Sequence, residues 1–431
     1  MKVRLTKYGH ARECYRRSLC RCSLSLVCAF FASANCHGQS IIDLGVLPVM
    51  AQSHAVSVSD DGSVVVGACW TANIDDALAF RWVPSTGMQR LPMIGDEPSW
   101  AVAVSADGTT IVGSVGIDGF RLRMAGGNTD FCLLGGGVRG AILALSYGVS
   151  ADGGTIVGAI GGGGFSIALP NIWTDCSSAV GFGDLPQESF GTAISADGSY
   201  ATAYGCCAFD GSYAGRDGIL WNSRTGSRHF VRPPGCNSLC PCAVSAYGEH
   251  VAGGAGFDGC SYAFRWSASS GLEILTSIEG ALYSWAGDLT DNGSVLVGGS
   301  GTAEHQDAAI WVRSDSALLL RDLLSAQGID VSAWSELNSA TAISGNGRFI
   351  VGRGLRGGNV RAFLVDLGKH PWPACCGDVN SDGTVGGADL AELLAQWGSA
   401  VPATDSDLNF DGRVDGLDLG ILLANWGPCP N

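Results

Sequence analysis

Charge is scarce in this 431-residue chain: Asp, Glu, Lys and Arg together make up 15% of it, against 46% hydrophobic residues. That balance excludes a disordered chain and supplies enough apolar material for one large core plus a small second domain. Positive charge is scarcer still. Seven of the 25 basic residues, Lys2 to Arg21, and one of the 40 acidic residues lie within residues 1–39; without that segment 18 basic face 39 acidic residues, a net charge near −21. Such a surface repels phosphate backbones, so nucleic acid is excluded as a partner. Beyond residue 39 no uninterrupted apolar run reaches the roughly 18 residues of a membrane-crossing helix, so no membrane span is expected. Nucleophile elbow, zincin helix and P-loop motifs are all missing.

The basic start is followed by the apolar run SLSLVCAFFASA, Ser23 to Ala34. It is too short to span a bilayer, and Ala32 and Ala34 suit signal peptidase, so residues 1–39 read as a secretory signal peptide and the protein as secreted or at the cell surface. Five of the 17 cysteines leave with it and 12 remain, an even number for an oxidising compartment. The cluster of Cys206, Cys207, Cys236, Cys240, Cys242 and Cys260 fits no familiar zinc spacing, which favours disulfides over metal there.

What is present is glycine, 64 residues of it, and repetition. AVSADGTTIVGS, Ala103 to Ser114, returns as YGVSADGGTIVGA and TAISADGSYATA, and more loosely four further times. The turn glycines fall at Gly62, Gly108, Gly153, Gly198, Gly248, Gly293 and Gly347, at intervals of 46, 45, 45, 50, 45 and 54 residues. Periods of about 40 to 45 residues suit four-stranded propeller blades. In the first unit AVSVS, VVVGA, ALAFRW and MQRLPM read as four strands, with Asp61-Gly62 as a two-residue hairpin turn. The seventh unit lacks a fourth strand, and IIDLGVLP, Ile41 to Pro48, is an orphan at the other end. Pairing the two closes the ring and removes an exposed edge. The expected fold is all-β: a seven-bladed β-propeller over residues 41–367, closed end to end, with an open β-solenoid as the alternative.

The small-residue hairpin, the VVG step and the AFxW step of DGSVVVGACWTANIDDALAFRW resemble the HAF-type repeats of exported bacterial proteins. The resemblance covers roughly residues 41–367 and implies an extracellular location without an agreed activity; PNIW and GILW depart from the AFxW step. Trp82, Trp173, Trp221, Trp266 and Trp311 end the third strands and are expected in the core. Five places before each turn-preceding Ser or Thr stand His54, Trp100, Leu145, Phe190, Cys240, Trp285 and Ser339, which the repeat sets around one mouth of a central channel. Aromatic faces among carboxylates suit sugar rings, making His54, Trp100, Phe190 and Trp285 the candidate ligand-binding residues, with glycan as the ligand. The same rings also suit a packing role.

After a join at residues 368–376, residues 377–431 contain GDVNSDGTVGGADLAELLAQWG and, 29 residues on, SDLNFDGRVDGLDLGILLANWG. In the first half Asp378, Asn380 and Asp382 alternate as side-chain oxygens, the Thr384 carbonyl follows, and Asp389 closes the shell. Asp407, Asn409, Asp411, the Arg413 carbonyl and Asp418 repeat this. A calcium ion wants about six to eight oxygens, so two Ca2+ ions are expected. Leu390, Leu393, Leu394 and Trp397, and Leu419, Leu422, Leu423 and Trp426, read as two stripes that bury against each other.

The duplicated loop and helix look like a type I dockerin, over about residues 376–427. That resemblance implies attachment to a cohesin-like or other extracellular partner, commonly in polysaccharide binding or breakdown. Gly387, Ala388, Gly416 and Leu417 stand where the family often carries cohesin-contacting hydroxyl residues. Cys429 is expected to pair with Cys375 or Cys376. The function expected is therefore a calcium-dependent module attaching a binding propeller. The alternative is a propeller glycoside hydrolase or polysaccharide lyase carrying a dockerin, that is, a hydrolase acting on O-glycosyl compounds or an eliminating enzyme.

Overall fold

The computed structural model describes residues 39–92, 97–134, 143–161, 168–183, 188–206, 216–258, 260–302, 304–312, 316–368, 377–380, 384–398, 406, 408 and 413–428. The expected signal peptide, the join, the pairing of Cys429, and the ligands Asp382, Asp407, Asn409 and Asp411 lie outside these residues.

The repeated turn folds by one set of local bonds. In the first copy the Gly62 N–H donates to the Ser59 carbonyl and the Ser59 N–H to the Val64 carbonyl, each at 2.9 Å. The Ser59 hydroxyl donates to Asp61 Oδ1 at 2.8 Å while its oxygen accepts from the Val64 N–H at 3.0 Å, and Asp61 Oδ1 also accepts from the Ser63 N–H at 2.9 Å. The hairpin loop is thus four residues, Asp60 to Ser63, rather than two. The Ser hydroxyl and Asp carboxylate together bind the loop's own N–H groups, which closes a longer loop than an Asp-Gly pair alone. The bonds recur at Ser105–Asp107, Ser150–Asp152, Ser195–Asp197, Thr290–Asn292 and Ser344–Asn346. In the fifth copy Tyr247 replaces the carboxylate, and Ser245 still accepts from the His250 N–H at 2.9 Å. All seven turn glycines sit at φ between +68° and +78°, where a side chain is strained.

The strands around these loops form four-stranded antiparallel ladders: unit 1 over residues 52–90, unit 2 over 99–133, unit 3 over 143–181, unit 4 over 189–229, unit 5 over 238–274 and unit 6 over 283–319. Unit 7 takes three strands from residues 336–366, and its fourth is Ser40–Asp43, which pairs antiparallel with Asn359–Asp366 in the register Ser40↔Asp366 to Asp43↔Phe363. Single parallel bridges, such as Ala144↔Asp118, link some neighbours, so hydrogen bonding divides the strands into sheets of four, eight, twelve and four. No sheet among the described residues closes on itself; neighbouring units join mainly by packed faces and by their loops.

The loops bond to one another in sequence. Backbone N–H groups of Asp60, Ala106, Ala151, Asp197, Ala246 and Asp291 donate to the carbonyls of Ala106, Ala151, Ala196, Ala246, Asp291 and Gly345, at 2.9 to 3.3 Å. The last loop returns to the first: the Gly345 N–H donates to Asp60 Oδ1 at 2.9 Å and Asn346 Nδ2 to the Asp60 carbonyl at 2.8 Å. The core at the same junction mixes Ala55, Val58 and Phe80 of unit 1 with Phe349, Val351 and Leu364 of unit 7.

Every first strand also carries a bulge, at Val56, Val102, Tyr147, Thr192, Cys242, Gly287 and Thr341. The bulge swings the carbonyls of His54, Trp100, Leu145, Cys240, Trp285 and Ser339 over Gly67, Gly113, Gly158, Gly253, Gly298 and Gly352, where a Cβ would overlap the oxygen. The glycine of the VVG step is therefore a close-approach glycine. In unit 4 the pair is inverted, with Gly191 opposite Ala203.

Trp82, Trp173, Trp266 and Trp311 are buried, and Trp221 is partly buried, stacked on Phe182 with centroids 5.0 Å apart. The 54-residue interval contains a helix the repeat does not foretell, α1 (Leu320–Ala326), whose Leu320 and Leu324 enter the core of units 6 and 7. Nearer the C-terminus lie α2 (Gly387–Ala395) and α3 (Gly416–Ala424), with Thr384–Val385 paired to Gly427–Pro428. Leu393, Leu422, Val385 and Val414 form their core, but Trp397 and Trp426 remain 46% and 51% exposed, together with Leu394 and Leu423. The two stripes are only half buried, because Leu394 and Leu423 lie about 100° round the helix from the inward Leu393 and Leu422.

Gly62 and Gly87 share φ +68°, yet a Cβ on Gly62 would enter the Phe349 ring whereas Gly87 faces open space. Gly87→Ala should cost about 1 kcal/mol of backbone strain, and Gly62→Ala that amount plus roughly 1–3 kcal/mol of overpacking. Denaturant unfolding of the two variants checks this; equal losses would mean that the contact of unit 1 with unit 7 contributes nothing.

Candidate functional site

The C-terminal loops are organised by two aspartates. Asp389, one turn into α2, is fully buried; its Oδ1 accepts from the N–H groups of Val379 and Asn380 at 2.8 and 3.1 Å, and its Oδ2 from Gly386 at 2.7 Å. Asp418, likewise fully buried, accepts from Leu408 and Asp415 N–H groups, each at 2.7 Å. Each carboxylate thus ties the first residues of its loop to the helix that ends it. Asp378 is also buried, Asn380 partly so, and Thr384 and Arg413 are exposed. Among the described residues no three His, Cys, Asp or Glu side chains converge as a metal cluster, the central ligands of both loops lying outside them. The donors that are described fit a hard cation: they are oxygens, and buried carboxylates in an acidic loop are costly without a positive charge.

At the other candidate site the bulges fix where the first strands begin. His54, Trp100, Phe190 and Trp285 are each partly buried. Trp100 stacks on Trp70 with centroids 5.8 Å apart, and Phe190 tilts against Tyr204 at 5.6 Å, so neither ring is the freely exposed one the repeat suggests. His54 and Trp285 are drawn together through unit 7. His54 Nε2 is 2.8 Å from Thr341 Oγ1. A Cβ on Gly287 would lie 2.6 Å from Trp285 Cζ3 and 3.1 Å from the Thr341 carbonyl. Burial, with the Arg353 charge adding to it, depresses the His54 imidazole to about 3, so it is neutral.

Beside this group, between units 6 and 7, opens a cavity of about 470 Å3 lined by Tyr283, Glu304, His305, Gln306, Asn338 and Arg353, among others. His305 Nε2 pairs with Asp307 at 3.1 Å, and Asn338 Nδ2 donates to Glu336 at 2.7 Å. Burial lowers the Arg353 guanidinium below its usual range. Nearer the loops, Asp288 Oδ2 accepts from the Ile343 N–H at 3.0 Å, and burial pushes its carboxyl up to about 7, with Asp291 and Asp60 adding to the rise.

Sequence reasoning passed over Arg353 and Asp288. The signal was available as departures from the repeat: Arg353 stands where other units carry Ala68, Ser114, Ala159, Tyr204, Gly254 and Gly299, and Asp288 where they carry Ser57, Ala103, Gly148, Ala193, Ala243 and Ala342. Among the described cysteines, Cys132 and Cys176 form a disulfide joining units 2 and 3, while Cys240 and Cys242 hold their sulfurs 3.7 Å apart across the fifth bulge.

Residues 376–425 match the dockerin type I domain family. No curated protein matches the chain. Among solved structures, an oligogalacturonate lyase in complex with manganese is 12% identical, with a TM-score of 0.54 over 79% of this chain and 96% of that one. An oligogalacturonate lyase from Vibrio parahaemolyticus is 11% identical, with a TM-score of 0.53 over 76% and 94%. The β-propeller domain of the Trilobed protease from Pyrococcus furiosus is 12% identical, with a TM-score of 0.44 over 61% and 79%. At such identities the two lyases speak to the fold alone, which is mostly β and propeller-like. No helix among the described residues is long and apolar enough to cross a membrane.

His54 and Asp288 oppose each other in pH dependence. His54 falls from 6.5 to about 3 on folding, so it takes stability away as pH drops through that window; Asp288 rises from 3.8 to about 7, so it takes stability away as pH climbs. Between roughly pH 4 and 6.5 the two slopes, each up to about 1.4 kcal/mol per pH unit, should nearly cancel. Asp288→Asn should make stability climb with pH across that window, and His54→Gln should make it fall, as read by urea unfolding at several pH values. Parallel curves for both variants and the parent would refute the assignment.

Proposed function

We propose that this is an exported calcium-binding protein in which a dockerin-like module, holding two Ca2+ ions, attaches a seven-bladed β-propeller of HAF-type repeats to a cohesin-like or other extracellular partner, and that the propeller binds glycan. The observation that carries this reading is the duplicated loop and helix within the dockerin match, each built on a buried aspartate that accepts N–H groups from its own loop. Leu394, Trp397, Leu423 and Trp426, exposed at equivalent places in the two halves, supply apolar surface of the kind that a docking partner covers. Support for seven blades comes from the cyclic loop-to-loop bonds and from Ser40–Asp43 completing unit 7. Partly buried aromatic rings, with a cavity beside His54 and Trp285, support glycan as the propeller's ligand.

Calorimetric titration of the chelated protein should show two calcium ions bound per chain, Asp389→Ala and Asp418→Ala each removing one, and capture on an immobilised cohesin should be lost with chelator. A protein whose circular dichroism and capture ignore chelator would refute the module's role. On polysaccharide columns the double change Trp100→Ala with Trp285→Ala should abolish retention while leaving the fold intact. Trp266→Ala, in the core, should instead cost roughly 3 to 5 kcal/mol of stability. A double variant that unfolds like this control, or is retained like the parent, makes the rings structural.

A further inference from the structure

Among the described residues, the cavity between units 6 and 7 holds a cation, Arg353, that makes no ion pair. Among the described residues no carboxylate lies within ion-pair distance of the Arg353 guanidinium, and its titratable neighbour across the junction with unit 1, His54, is neutral. Of the other acids nearby, Asp307 holds His305, Glu336 accepts from Asn338, and Glu304, which shares the cavity lining, is exposed to solvent and makes no ion pair with Arg353. Withdrawing a guanidinium from water without a partner costs stability, and an anion delivered into the cavity offsets that cost.

The remaining lining says what kind of anion. Tyr283 offers a ring face, the Gln306 amide offers donors and an acceptor, Asn338, whose Nδ2 is taken by Gln306 and Glu336, offers its Oδ1 as an acceptor, Thr302 a hydroxyl, and Glu304 an acceptor for hydroxyl protons. Trp285 lies behind this lining, next to the Gln306 amide, since a Cβ on Gly299 would lie 2.9 Å from its Nε1 and 3.0 Å from Gln306 Nε2. A bare inorganic anion would leave these groups unused. A molecule with one carboxylate and several hydroxyls on a ring uses all of them, and a volume near 470 Å3 lies within the range of small-ligand sites, about 300–1,000 Å3.

We propose that this cavity is a binding site for an acidic saccharide, a uronate-containing oligosaccharide whose carboxylate pairs with Arg353 while its ring lies against Tyr283. The inference rests on the reading of the propeller as a glycan binder and gives that ligand its charge. A planar guanidinium takes a carboxylate through two parallel N–H···O bonds, so the acid is selected over its neutral counterpart by charge-assisted bonding as well as by Coulomb attraction.

Calorimetry with the full chain separates the two readings, using oligogalacturonate, an alginate oligosaccharide and the carboxyl-reduced form of each. The acids should bind, and the reduced forms should bind roughly 10- to 100-fold more weakly, the loss of one charge-assisted contact. Arg353→Gln should abolish that preference, Arg353→Lys should retain part of it, and Arg353→Gln should melt no lower than the parent because it removes a partly buried charge that makes no ion pair among the described residues. Acids and reduced forms bound equally well, with Arg353→Gln indifferent, would overturn the acidic-saccharide assignment and leave the glycan reading standing. Binding of inorganic phosphate with no saccharide bound would overturn both, and an Arg353→Gln variant that unfolds would make the residue structural.

Discussion

One bond repeated around the array governs this fold: the N–H that each hairpin loop donates to a carbonyl of the next. It fixes the distance and angle between successive units at the loop end of their first strands, and it leaves no loop without a neighbour, because Gly345 and Asn346 of unit 7 bond to Asp60 of unit 1. The remaining local chemistry serves that bond. Ser and Asp hold each loop closed, and the left-handed glycine lets the loop press on the preceding unit. In all but one of the described cases a Cβ there would clash outright with a side chain such as Phe349, Val64 or Tyr200. With the backbone polar groups of the loops satisfied by one another, the apolar faces of the ladders stack without burying an unpaired donor.

The bulge is the second constraint and explains the sequence on the opposite side of each unit. It inserts one residue into every first strand and increases the local twist there. It also brings a carbonyl onto the glycine of the second strand. Two positions that look unrelated in sequence, the glycine of VVG and the residue five places before the loop, are therefore linked by one geometry. Ser40–Asp43 completes the arrangement by covering the edge of Asn359–Asp366 that unit 7 would otherwise expose.

Most of this was legible in the residues. Alternating small and β-branched residues, turn glycines at a near-constant period and one orphan strand at each end sufficed to place four strands per unit and the pairing of the two ends. The loop was misjudged because Asp-Gly is read as a two-residue turn unless the Ser two places earlier is counted as part of it. Helix α1 was missed because it lies within the spacing irregularity between units 6 and 7, where a repeat-based reading assigns length and no structure. In the C-terminal module the ligand pattern announced the loops. The half-exposed helices were not anticipated, since a stripe at helical spacing says which residues can be buried and not whether a second surface is there to bury them. The cavity could not be read from periodicity at all, because it arises between units whose side chains are distant in sequence.

Near-repetition also says where specificity must lie. An array of nearly equal units presents nearly equal groups at equivalent places, and such a surface has little means of orienting an asymmetric ligand. Discrimination needs departures from the repeat, and units 6 and 7 carry several of them, Tyr283, Asp288 and Arg353 included. Two of them, Asp288 and Arg353, replace residues that are mostly small in the other units and bring ionisable groups into partly or wholly buried positions, a change that on stability grounds is unfavourable. Folding alone gives no reason to carry either; the other units use uncharged residues at both places, glycine or alanine in most of them. Local violations of an otherwise consistent pattern, made at a cost in stability and, for Arg353, in the lining of a cavity, are the physical signature by which this sector is distinguished from the other units.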